Sequence, residues 1–297
     1  MSVVVVGGGH GASASLRAAR LYSDDVTGII TVADNGGSSG RLARELGVLP
    51  MGDIRNCLAA LAPDSPTVSV FQHRFPSGRF EGHVVGNLMI AAAAQESGSF
   101  VAAIEQAAAL LGAEGRILPP TLDPVRLISE VEGQLVEGQV EVATSTGRIT
   151  FVALDPADPK PFEPAVQALT DADQIVLGPG SLFTSVLPPL LVRELKEALV
   201  TAHAQKVYVC NLVAPLGETQ HFDAAAHLSA VYAHLGTGSV DVVVAHTGRP
   251  PTNGPAVAVD IVALKGMGVL VVGADLLPTD GSSRHDPARL ADVLKKL

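Results

Sequence analysis

The sequence predicts an α/β fold on a mostly parallel sheet, and three observations point to it. Val3, Val4, Val5 and Val6 form a β-branched run that passes directly into Gly7-Gly8-Gly9-His10-Gly11. Such a run is too short for a helix and apolar on both faces, as a central parallel strand must be. The same order of strand, glycine turn and helix returns at residues 173–199. Each strand of this kind ends in polar or glycine residues, and in an open parallel sheet the carboxyl ends of the strands are where ligands bind.

Taken in order, Ala12–Tyr22 reads as a helix with Leu16, Ala19 and Arg20 at helical spacing, and Gly28–Val32 is the next strand, ending at Ala33-Asp34-Asn35. This is β-α-β within about the 30 residues such a unit takes. Val84–Glu96 and Phe100–Leu111 are Ala-rich and helical. Between Ile128 and Leu154 apolar and polar residues alternate around Glu132-Gly133, Glu137-Gly138 and Thr146-Gly147, which predicts short antiparallel strands, a β-hairpin element at about 128–154 added to the parallel sheet. In the second half, strands are predicted at Asp173–Leu177, Lys206–Cys210, Asp241–Ala245 and Val269–Val272, with a helix over Val186–Leu199 that carries Pro188 and Pro189 in its first turn.

Composition narrows the function classes. With 47% hydrophobic residues in 297, the chain can bury a substantial core. A net charge of −10, with its 20 Lys and Arg residues scattered, gives no general attraction for nucleic acid. Any phosphate must therefore be held by backbone N–H groups, helix N-termini and a few placed cations. Cys57 and Cys210, without a CxxC or a His/Cys cluster, suggest neither a disulfide framework nor a zinc site. No signal peptide is read in Met1–Val6 and no apolar stretch reaches membrane-spanning length, so the expectation is a cytoplasmic protein without a membrane span.

Five segments carry candidate ligand-binding residues. Gly7–Ala12 satisfies G-x-G-x-x-A between a strand and a helix, with the acidic Asp34 at the end of the next strand, so Gly8, Gly9, His10 and Gly11 are candidates for a pyrophosphate. The stretch Asp34-Asn35-Gly36-Gly37-Ser38-Ser39-Gly40-Arg41 reads as a second flexible, hydroxyl-rich loop. An ordinary NAD domain has no reason to add it, and Gly37, Ser38, Ser39 and Arg41 offer close approach, donors and a bidentate cation. In the third segment, Asp53 reads either as an N-cap or, with Asn56 and Asp34, as a group orienting substrate or a divalent cation, while Arg55 neutralises phosphate. Asn87, in Gly82–Leu88, is the fourth candidate, ahead of His83. The fifth is Gly178-Pro179-Gly180-Ser181 with Thr184, a second phosphate-loop candidate on the other half of the sheet. His10, His83, His246 and His285 lack a nucleophile motif, and neither G-x-S-x-G, HExxH nor a Walker A sequence occurs.

Together these segments resemble the CofD-like superfamily, in particular its YvcK-type branch of gluconeogenesis factors. The matching stretches are GGGHGAS at 7–13, TVADNGGSSGRLARELGVLPMGDIRNCLAALA at 31–62, GHVVGNLMIAA at 82–92, IVLGPGSLFTSVLPPLLV at 175–192, NLVAPLGETQHF at 211–222 and RHDP at 284–287. The resemblance implies a Rossmann-like three-layer α/β/α fold forming a single CofD-like domain over 1–297. It implies a UDP-sugar ligand of the UDP-N-acetylglucosamine kind and a role in cell shape, cell-wall precursor metabolism and growth on gluconeogenic carbon sources. It also adds Asn211 and Arg284 to the candidate contacts. The second branch of the superfamily, the 2-phospho-lactate transferases, implies an enzyme acting on a nucleotide-linked donor with magnesium, and Asp34 and Asp53 are then the candidate catalytic and metal-binding groups. Regulator-type chains tend to carry a nucleotide-holding tyrosine after the strand ending at His246, whereas residues 248–254 here contain none.

Three readings follow. The favoured one is a regulatory UDP-sugar-binding protein whose bound state is read by a protein partner not yet identified, with a homodimer left open. The others are a phospholactyl or phosphoryl transferase and an NAD-dependent oxidoreductase, for which no hydride-transfer acid/base pair is found.

Overall fold

A computed structural model describes residues 1–145, 147–214, 217–252, 254–279 and 284–297. Seven strands form one sheet: β1 (Ser2–Gly7), β2 (Asp25–Ile30), β3 (Arg116–Leu118), β7 (Gln174–Leu177), β8 (Gln205–Val209), β9 (Val242–His246) and β10 (Leu270–Ala274). The remaining three, β4 (Arg126–Val131), β5 (Gln134–Glu137) and β6 (Ile149–Asp155), make a separate antiparallel sheet in the order β5-β4-β6. The large sheet runs β10-β9-β8-β7-β1-β2-β3, every recorded pairing in it is parallel, and helices cover both faces in a Rossmann-like α/β/α arrangement.

The apolar runs become the centre of this sheet because only a strand buried on both faces can use them. Val3 to Val6 and Ile175 to Leu177 are fully buried, and β1 pairs β7 with Val6 opposite Leu177. From β1 the chain crosses to β2 on one side, and the second half of the sheet is laid down from β7 on the other. The strand order thus reverses between β1 and β7, the topological switch point at which an open α/β sheet leaves a crevice beyond its strand ends. The turns after these two strands are the glycine turns at 7–11 and 178–181.

Several elements differ from expectation. The first helix is Gly9–Ala19 and so begins inside the glycine turn. The segment expected to be a flexible loop at 34–41 is largely the start of a helix, Gly37–Leu46, because Asp34 Oδ1 accepts the Gly36 N–H at 2.8 Å and Leu42 buries against the core. The helix expected over 186–199 is broken. Leu182–Val186 is one wide π-type turn, Pro188–Leu191 a 3₁₀ turn, and the α-helix starts only at Arg193. Pro188 and Pro189 have no N–H to give the preceding turn, which explains the break. The antiparallel addition is present with three strands rather than a hairpin's two. Of its expected turns, the one at Thr146 lies outside the described residues. Strand β3, three residues long, was below the length that a hydrophobic pattern reveals.

Candidate functional site

Four helices begin along the rim above β1, β2 and β7 with an N-cap residue whose own side chain gives no cap: Gly9–Ala19 after Gly8, Gly37–Leu46 after Gly36, Gly52–Leu61 after Met51 and Val85–Ser97 after Val84. Helices away from this rim are capped by Ser65, Ser99, Asp223, Asp260 and Asp286, although Gln139–Thr144, Glu163–Thr170 and Arg193–Thr201 also lack a cap. The rim is distinguished by convergence. A Cβ on Gly8 would lie 2.3 Å from Asp53 Oδ2, and one on Gly52 3.0 Å from Asp34 Oδ2. Ser38 Oγ accepts the Val84 N–H at 3.3 Å, and a Cβ on Gly86 would lie 2.8 Å from Arg55 Cγ. Each N-terminus therefore touches the next, and their first-turn amides and positive dipole ends share one edge.

The two glycine turns meet at the same edge. A Cβ on Gly11 would fall 2.0 Å from the Pro179 carbonyl oxygen, so only glycine allows the first helix to start here. Asn211, just beyond β8, clamps the second turn: its Oδ1 accepts the Gly180 N–H and its Nδ2 donates to the Gly180 carbonyl, both at 2.9 Å. Ser15 Oγ donates to the Gly178 carbonyl at 2.6 Å. Between the turns lies a cleft of about 200 Å³ whose walls include His10, Gly11, Gly180, Ser181, Asn211 and Arg284. Burial lowers the His10 pKa, and Arg284, Arg55 and Arg17 lower it further, so cations of a strongly acidic protein are gathered around this imidazole.

Asp34 and Asp53 lie close together behind the first glycine turn, Asp53 against Gly8 and Asp34 against Gly52. Asp53 sits in the first turn of its helix rather than capping it, since Met51 is the N-cap. Its carboxylate receives the Gly9 N–H, and Oδ2 is buried without a partner among the described residues. Burial, then the charge of Asp34, push its pKa up to about 7, while Asp34 is itself raised by burial. Among the described residues no cluster of three His, Cys, Asp or Glu groups could hold a metal ion. Two crowded carboxylates with an orphaned oxygen nevertheless fit magnesium, which takes one or two carboxylates and completes its shell with phosphate and water.

The other expected residues divide. Arg55 is buried, its Nε donating to Asn87 Oδ1 at 3.1 Å and its Nη1 to Gln72, so Asn87 orients a cation instead of facing a ligand itself. Asn56, on the same helix, is half-buried. Arg41 donates to the Glu81 carbonyl at 2.9 Å, Ser38 pairs with His83 Nδ1 at 3.2 Å, and Ser39 Oγ accepts the Gly52 N–H at 2.9 Å. Gly37 has φ +49° with open space where a Cβ would be. Asn35 turns away from the crevice: its Oδ1 accepts the Val140 N–H at 3.0 Å and its Nδ2 donates to Glu141 at 2.7 Å, tying the rim to the small sheet. Thr184 is buried with its hydroxyl on Glu218 at 2.8 Å. Gln72, Glu218 and His285, which is buried beside Arg284 with Nε2 3.1 Å from the Cys210 carbonyl, were not foreseen. His285 adjoins a singled-out residue, whereas nothing local marks Gln72 or Glu218.

Fold and rim define a doubly wound α/β protein whose candidate site lies at the strand-order reversal. Residues 3–277 match the family described as 2-phospho-L-lactate transferase CofD, and the chain belongs to the CofD family. A Bacillus subtilis (strain 168) protein named Gluconeogenesis factor is 38% identical over 99% of this chain and 97% of its own length. One of the same name from Listeria innocua serovar 6a is 38% identical over 98% of this chain and 94% of its own. The crystal structure of a UPF0052 family member from Bacillus halodurans superposes with a TM-score of 0.93 at 38% identity, covering 98% of both chains. No helix among the described residues is long and apolar enough to cross a membrane.

Proposed function

We propose that this protein is a regulatory binder of a nucleoside-diphosphate sugar of the UDP-N-acetylglucosamine kind, held on the rim between β1 and β7, with its bound state read by a partner protein. The observation that carries this reading is the meeting of the N-terminus of the Gly9 helix with Arg284 and the two glycine turns around one cleft. Such a rim supplies backbone donors and a few cations in a protein whose net charge of −10 otherwise repels phosphate. Asp34 and Asp53 are the residues that would hold magnesium, which when bound neutralises part of the diphosphate charge. The name its relatives carry accords with a regulator of carbon flow, and a cell-wall precursor sugar as ligand extends that role to cell shape. We read the chain as one ligand-binding unit.

A specific feature favours transferase chemistry as the second reading: an acid pair in which one carboxyl, near pKa 7, is poised to exchange a proton at neutral pH. NAD is less well served. In a dinucleotide domain the acid after the second strand accepts ribose hydroxyls, whereas here Asp34 accepts the Gly36 N–H and lies against Gly52 and Ser39.

Incubation of the protein with UDP-N-acetylglucosamine and magnesium, followed by chromatography of the nucleotides, separates the readings. Tight binding with the sugar nucleotide recovered intact supports the regulator. Release of UMP or UDP assigns the protein to the transferases.

A further inference from the structure

The turn at 181–185, expected to receive phosphate, already holds a side-chain carboxyl. Glu218 is buried, and its Oε2 accepts the Phe183 N–H while its Oε1 accepts the Thr184 hydroxyl, both at 2.8 Å. The Ser181 hydroxyl and the Thr184 N–H are directed to the same carboxylate. Two backbone amides and two hydroxyls thus close on it as they would on a phosphate oxygen pair. The Gly180 N–H is likewise spent, on Asn211.

The position of Glu218 is built. Gly217 precedes it at φ +103°, and a Cβ there would lie 2.5 Å from the Ala143 carbonyl oxygen, so the chain is threaded tightly past the 139–144 helix of the small sheet. On its far side Glu218 lines a cavity of about 440 Å³, together with Arg148 and His221 among others. A carboxylate that burial penalises is retained in such a place only if its hydrogen bonds are needed.

We propose that Glu218 is the positioning residue of the site: its carboxyl oxygens act as the internal acceptors of the 181–185 turn and thereby fix the wall against which the ligand diphosphate docks. On this account the diphosphate is held by the Gly9 helix and Arg284, and the second turn contributes shape rather than donors. The part concerning the ligand rests on the function proposed above; the part concerning the turn does not.

Two variants and one small molecule test it. In Glu218→Ala, amide hydrogen exchange of a peptide spanning 182–186 should accelerate at least tenfold, and acetate, entering through the adjoining cavity, should restore protection. Affinity for UDP-N-acetylglucosamine should fall tenfold or more and recover with acetate. Glu218→Gln, whose amide nitrogen cannot accept, should show an intermediate acceleration and decides the matter if the alanine variant does not fold. Unchanged exchange in the folded variants overturns the proposal. So does tighter ligand binding that acetate weakens, because Glu218 would then be an obstruction. If the wild-type protein binds no UDP-N-acetylglucosamine, the function proposed above fails while the exchange measurement still judges Glu218.

Discussion

Gly11 and Pro179 meet backbone to backbone, so closely that a Cβ on Gly11 would lie 2.0 Å from the Pro179 carbonyl oxygen and 2.9 Å from Gly180 Cα. Residues 168 positions apart in sequence therefore set the width of the candidate cleft. Gly11→Ala must push the turns apart, and since the obstructing atoms are backbone, the strain has little relief. Overpacking of this kind costs about 1–3 kcal/mol, so we expect a lower denaturant midpoint together with loss of sugar-nucleotide binding.

Arg284 lies exposed on the cleft and makes no hydrogen bond or ion pair among the described residues. Its replacement by Ala should weaken nucleotide binding by about 1–3 kcal/mol, the size of a lost charge-assisted hydrogen bond, and leave the melting temperature within error of wild type. Calorimetry and thermal unfolding check the two halves of that statement. Asp34→Ala should weaken affinity by a similar amount if its carboxylate helps to hold magnesium, and the loss should vanish in chelator.

Asp53 links the site to pH. A carboxyl raised from an ordinary 3.8 to about 7 keeps its proton in the folded chain where the unfolded chain has released it. Between those values the native state binds more protons, so its stability is fullest below the window and declines as pH rises through it. Asp53→Asn should remove this slope and raise stability at pH 8 by about 2–4 kcal/mol, read from urea unfolding at pH 5 and pH 8. Because a cation favours the ionised carboxylate, binding of magnesium with diphosphate near pH 6.5 should release a proton from wild type and not from Asp53→Asn. Titrations in two buffers of different ionisation heat detect it.

Asn87 should matter through Arg55. Burial and the neighbouring Arg74 hold the Arg55 guanidinium down at about 10, and Asn87 Oδ1 is one of its two recorded side-chain acceptors. Asn87→Ala leaves a buried Nε–H unpaired, at a cost of about 1–3 kcal/mol in stability.

Much of this was legible in the sequence because the relevant physics is local. Val3–Val6 could only be a central strand, and glycines between a strand and a helix mark a backbone that approaches something closely. Ser38 and Ser39 misled, since a Gly- and Ser-rich stretch reads as a loop until Leu42 finds the core and Asp34 ties down Gly36. Pro188 and Pro189 were readable as a helix start, but the wide turn before them depends on Glu218, 32 residues after Val186. Asn35 likewise could not be foreseen to face away, because its partners Val140 and Glu141 lie more than 100 residues on. Long-range side-chain pairings leave no periodic trace in a single sequence.

A crystal of the protein soaked with UDP-N-acetylglucosamine and magnesium puts the whole account at stake. Diphosphate density within hydrogen-bonding distance of the His10 and Gly11 amides and Arg284, with a cation at Asp34 and Asp53, is the predicted result. A ligand bound elsewhere on the molecule, with the cleft between Gly11 and Gly180 left clear, would contradict it.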